Sequence, residues 1–107
     1  MATTQRMSEP LLTQILEIKN PQGLHARPAE QFARTAMQFD AQLELVNGSK
    51  RADAKSILHI LTLGAAQGTE LLLEARGTDA QEAIDALSQL VEGGFADDDI
   101  LSQEQVS

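Results

Sequence analysis

The 107-residue chain contains no cysteine, no tryptophan and no tyrosine. Without cysteine there are no disulfides, no thiolate catalysis and no zinc site of the Cys type. The aromatic residues are three phenylalanines, so the stacking platforms that hold single-stranded nucleic acid are not expected. Positive charge is also scarce. The formal net charge is −8, whereas neutralising nucleic-acid phosphates needs a basic surface. No apolar run is long enough to cross a bilayer, and no basic-then-apolar leader resembles a secretion signal. The expectation is a cytoplasmic monomer with neither nucleic acid nor membrane as partner.

The charge is unevenly placed. Residues 1–55 carry seven basic and six acidic side chains, and residues 56–107 carry Arg76 against ten acidic ones. Arg27, Arg34, Lys50, Arg51 and Lys55 therefore sit in a less acidic half of the chain. An anionic group arriving from a partner would meet less repulsion there.

The length suits one domain with a modest core. Residues 1–11 read as a flexible extension, 12–95 as the folded domain and 96–107 as an acidic flexible tail. Leu12–Lys19 and Glu70–Arg76 read as strands from their apolar content and flanking turns. Ala41–Val46 alternates, and Asn47-Gly48 after it is a hairpin signal leading into a short strand over Ser49–Asp53. A helix is predicted over Ala26–Phe39, with Ala29, Phe32, Ala33, Ala36 and Met37 at spacings of three and four. Ser56–Leu63 reads as a brief helix or apolar segment closed by Gly64. Ala80, Ala83, Ile84, Leu87, Leu90 and Val91 form the apolar stripe of a last helix. Thr78 or Asp79 would cap that helix, completed as a capping box by Gln81 or Glu82, and Gly93-Gly94 would end it. The order βαββαβα implies an α+β fold, an antiparallel sheet with helices on one face.

Chemistry concentrates in Asn20-Pro21-Gln22-Gly23-Leu24-His25-Ala26-Arg27-Pro28-Ala29. Asn20–Gly23 is turn-forming. His25 then falls at or beside a helix N-cap, with Pro28 in the first turn, where its missing N–H costs nothing. A helix start disfavours an imidazolium and favours a phosphorylated ring. Arg27 adds planar donors suited to phosphate oxygens. The pattern points to reversible phosphorylation of His25. One histidine and one arginine do not make an autonomous enzyme, because no pocket, metal or acid–base pair accompanies them. His25 and His59 are too few for a metal site, and His59 reads as a surface residue. Asp97-Asp98-Asp99 lacks the glycine and terminal glutamate spacing of a calcium loop. No cofactor is expected.

The segment Gly23–Ala29 followed by Gln31-Phe32 resembles the active-site signature of the histidine-containing phosphocarrier protein (HPr) family. A second stretch is similar to the family's regulatory-serine region. It comprises Asn47-Gly48, Ala54-Lys55-Ser56-Ile57-Leu58, Leu63-Gly64 and Gln67-Gly68-Thr69. The likeness covers roughly Leu12 to Phe95. It implies an open-faced β-sandwich with a four-stranded antiparallel sheet and three helices on one face. It also implies a carrier in the bacterial phosphoenolpyruvate-dependent sugar phosphotransferase system. There a phosphoryl group would pass from enzyme I to the pros nitrogen of His25, and then to enzyme IIA proteins or domains. Arg27 matches the phosphate-stabilising arginine.

Ser56 is expected to cap the helix that follows it. The resemblance implies a further role in some bacteria, as the serine modified by an ATP-dependent HPr kinase. It also implies that Ile57, Leu58 and Leu61 dock the partners, leaving Ile60 and Leu63 for the core. Two other functions fit the same fold. One is a regulatory carrier of the nitrogen-related branch, against which the Lys55-Ser56-Ile57 stretch tilts the reading. The other is a binding module that regulates without accepting phosphate, against which the presence of His25 counts.

Overall fold

Alternation along the strands sorts their side chains between a covered and an open face of one sheet. In a computed structural model, whose described residues are 9–95, four strands and three helices follow in the expected order. They are β1 (Leu12–Glu17), α1 (Ala26–Ala36), β2 (Gln42–Asn47), β3 (Lys50–Asp53), α2 (Ile57–Leu61), β4 (Glu70–Arg76) and α3 (Ala80–Glu92). The sheet is antiparallel with strand order β1-β4-β2-β3. The last strand thus enters between the first and the second.

The covered face supplies Leu16, Leu43, Leu45, Leu71, Leu73 and Ala75, all buried. Against it pack the stripes of α1 (Ala29, Phe32, Ala33, Ala36) and α3 (Ala80, Ala83, Ile84, Leu87, Val91). On the open face Ile15, Leu72, Val46 and Arg51 line up across the four strands. Beside that row Glu44 stands directly opposite both Glu74 and Asp53. Arg51 bridges the first two carboxylates, at 2.7 Å from Glu44 and 2.8 Å from Glu74. Glu74 first, and then Glu44, hold its guanidinium above the ordinary pKa.

The element boundaries differ from the sequence reading in physically informative ways. Helix α1 ends at Ala36 rather than Phe39 because Gln38 and Phe39 donate to Thr35 and Ala36, three residues back, tightening the last turn. Lys55 Nζ then takes the Phe39 carbonyl at 2.7 Å. Met37 sits at the C-cap and is 55% exposed, so it leaves the buried stripe. Asn47 is the last residue of β2 and pairs with Lys50, so the hairpin turns on Gly48-Ser49, with Gly48 at φ +62°. Asp79 occupies the N-cap of α3 but makes no cap bond. Its carboxylate instead accepts the N–H groups of Asp40 and Ala41 at 2.9 and 2.8 Å, tying α3 to the start of β2. Beyond α3, Gly94 adopts φ +65°, and the N–H of the buried Phe95 returns to the Leu90 carbonyl. Most of the expected N-terminal extension and the whole of the expected acidic tail, residues 1–8 and 96–107, lie outside the described residues.

Candidate functional site

The site is built on the turn between β1 and α1. Gly23 donates its N–H to the Asn20 carbonyl at 3.0 Å, and Asn20 Nδ2 donates back to the Gly23 carbonyl at 2.6 Å. Gly23 has φ +73°, and a Cβ placed there would lie 2.4 Å from the Ala65 carbonyl oxygen. Only glycine allows that approach. It brings Leu24 N–H within 2.9 Å of the same oxygen, and the Leu24 side chain is buried beneath.

His25 is the N-cap of α1, in extended conformation, and its carbonyl accepts the N–H of Ala29 at 3.0 Å. Its imidazole makes no cap bond and is exposed. Ala29 is thus bonded back to the carbonyl of the N-cap residue. Pro28 carries no N–H, so the backbone donors of the helix mouth belong to Ala26 and Arg27. Pro28 is buried and closes the first turn against the core, while Arg27 is exposed on that turn. A recess of about 220 Å³ beside the ring is lined by Asn20, Pro21, Gln22, His25, Pro28, Gly94 and Phe95. The mouth therefore combines an accessible ring, backbone donors and a dipole end, with an exposed arginine on the first turn. That arrangement can accept a phosphoryl group and stabilise its oxygens without enclosing them.

Helix α2 provides the second group of sequence-predicted residues. Ser56 is its N-cap, with Oγ accepting the His59 N–H at 3.2 Å. Leu58 is 75% exposed and Ile57 and Leu61 each 37%, while Ile60 and Leu63 are buried. His59 is exposed, and its Nδ1 is 3.4 Å from the Asp53 N–H. Among the described residues no group of three or more His, Cys, Asp or Glu could hold a metal ion. A larger groove of about 520 Å³ runs along the open sheet face by Gln42, Glu44, Asp53 and Arg76, and none of the residues named for phosphoryl chemistry line it. Sequence reasoning missed two features, one at each end of α1. Met37 adds exposed apolar surface at the end of α1, and Asn20, read only as a turn former, is buried under the histidine turn.

Comparison with known proteins agrees with this geometry. Residues 12–93 match the family profile described as "PTS HPr component phosphorylation site". An HPr from Neisseria meningitidis is 40% identical over 87 residues, covering 81% of this chain and 98% of that protein. A segment of DhaM from Providencia stuartii, the phosphoryl donor subunit of a phosphoenolpyruvate-dependent dihydroxyacetone kinase, is 48% identical over 90 residues. That match covers 84% of this chain but spans only 19% of DhaM. The crystal structure of an HPr from Thermoanaerobacter tengcongensis superposes with a TM-score of 0.77 at 45% identity, covering 79% of this chain and 96% of that one.

Proposed function

Because this chain belongs to the HPr family of phosphotransferase-system phosphocarrier proteins, we propose that His25 takes a phosphoryl group from phosphorylated enzyme I. It then delivers that group to enzyme IIA proteins or domains. The observation that carries this reading is the exposed imidazole of His25, which makes no cap bond at the mouth of α1. A ring nitrogen forms the new N–P bond as the donor's bond to phosphorus breaks and its electron pair returns to the donor. Nothing is oxidised, and the carrier is itself the substrate of its partners.

The transfer is mainly a matter of placement and charge stabilisation, since the phosphoryl group passes through a loose transition state. Arg27 and the backbone N–H groups at the mouth are the donors assigned to its oxygens. Each charge-assisted bond contributes about 1.5–3 kcal/mol. Exposure keeps the total moderate, so the group can leave again. Ile57, Leu58 and Leu61 form the docking edge. Ser56 lies at its start, where a phosphate would add charge next to the partner surface. Ser56→Asp should accordingly slow transfer from enzyme I.

The test is incubation with phosphoenolpyruvate and purified enzyme I. Acid-labile label on His25 is expected, and none on a His25→Ala variant. An unlabelled wild type, or equal labelling of the variant, would overturn the reading. The likeness to DhaM favours a second reading, in which the acceptor belongs to a dihydroxyacetone kinase rather than to a sugar-specific pathway. Presenting the phosphorylated carrier to both kinds of acceptor separates the two.

A further inference from the structure

Asn20 is the one fully polar side chain buried among the described residues, and it lies beneath the turn that carries His25. The peptide unit joining Gly23 to Leu24 is held on both sides. Its carbonyl receives Asn20 Nδ2 at 2.6 Å and the N–H of His25 at 3.0 Å. Its N–H donates to the Ala65 carbonyl at 2.9 Å. The turn does not need Asn20's side chain in order to close, because the backbone bond from Gly23 N–H to the Asn20 carbonyl already closes it. The carboxamide also carries a cost. Its Oδ1 is buried with no hydrogen-bond partner among the described residues, and buried acceptors in native proteins are normally paired. The amide cannot simply be turned round, since the Gly23 oxygen accepts and only Nδ2 can donate to it.

We propose that Asn20 is a positioning residue for phosphoryl transfer. Its Nδ2 pins the Gly23–Leu24 peptide and so fixes the direction in which His25 presents its ring to donor and acceptor. This rests on His25 being the phosphorylated residue. In-line transfer needs the attacking nitrogen held on the line of the breaking bond, and a misplacement of about 1 Å costs on the order of 100-fold in rate. Asn20 touches neither the phosphoryl group nor a partner. It acts through the backbone on which His25 stands.

Two variants test the idea. Asn20→Asp keeps the shape but offers no donor to the Gly23 oxygen, and Asn20→Ala removes the group. Rapid-quench labelling with enzyme I and phosphoenolpyruvate, over a range of carrier concentrations, should show kcat falling about 10- to 100-fold while KM, set by docking at α2, moves by less than about twofold. Amide resonances of Leu24 and His25 should shift while those of the sheet stay in place. A folded variant that transfers at the wild-type rate overturns the proposal, as does one that changes KM with kcat kept. A wild type that never labels overturns the His25 reading instead. Should both variants fail to fold, the wild type still decides. Its Asn20 side-chain amide protons should exchange slowly with solvent in both the free and phosphorylated carrier, and rapid exchange in the phosphorylated form overturns the proposal.

Discussion

Gly23 and Gly48 allow one steric contact to be isolated from backbone strain. Both have left-handed φ, +73° and +62°, but a Cβ at Gly48 would meet nothing within 4 Å. Gly48→Ala thus reports strain alone. An L-residue in this region costs roughly 1–2 kcal/mol, offset by about 0.4–1 kcal/mol from the stiffer unfolded chain. The net loss is about 0–1.6 kcal/mol. Gly23→Ala carries the same term and adds a collision, with the new Cβ 2.4 Å from Ala65 O and 2.9 Å from Ala66 Cα. Both atoms are backbone, so no side chain can swing aside. Reaching ordinary van der Waals separation means opening the contact by about 1 Å, which breaks the bond from Leu24 N–H to Ala65 O. Leaving those groups unpaired costs about 1–3 kcal/mol more, so Gly23→Ala should lose about 1–4.6 kcal/mol in all. Urea denaturation of the two variants measures the difference, and labelling by enzyme I should slow in Gly23→Ala alone. Equal stability losses in the two variants would refute the close approach of the histidine turn to Ala65.

Three further outcomes follow from named contacts. Leu87→Ala empties a fully buried position of α3 and should cost roughly 2–5 kcal/mol in denaturant unfolding. Asp79→Ala removes the acceptor for two backbone N–H groups and should cost about 1–3 kcal/mol, whereas a mere surface carboxylate would leave the unfolding midpoint unchanged. Leu58→Ala should leave stability within about 0.5 kcal/mol, because the side chain is exposed, yet raise the KM for transfer from enzyme I; an unchanged KM would remove Leu58 from the docking edge.

What was legible in the sequence was local. The stripe of α3, the glycine-centred hairpin, the helix mouth at His25 and the Ser56 cap each write themselves into spacings of a few residues. The shortness of α2 required some of its apolar residues to stay exposed, and the family resemblance named them, with Ile60 and Leu63 inside and Ile57, Leu58 and Leu61 outside. What did not appear in the spacing depends on distant partners. Met37 has the periodicity of a buried residue, but it stands at the C-cap where the helix ends and is exposed. Asp79 has the position of a capping residue, but the N–H groups of Asp40 and Ala41 claim its carboxylate. Asn20 looks like any turn asparagine until the burial of its side chain is known. The insertion of β4 between β1 and β2 has no local signature at all.

That insertion has a consequence for how the molecule is made. During synthesis the only strand pair available before Glu70 emerges is the β2–β3 hairpin, since both other pairings of the sheet need β4. The bonds of Ile18 with Gly68 and Thr69, and of Leu24 with Ala65, also wait for that part of the chain. Closing such separated contacts is the slow part of folding for topologies of this kind. A nascent chain that already displays the entire His25 motif still lacks the backbone against which the motif is set. Competence to carry phosphate should therefore arrive late and all at once, with the seating of the fourth strand, so that unfinished chains do not draw phosphate from the donor.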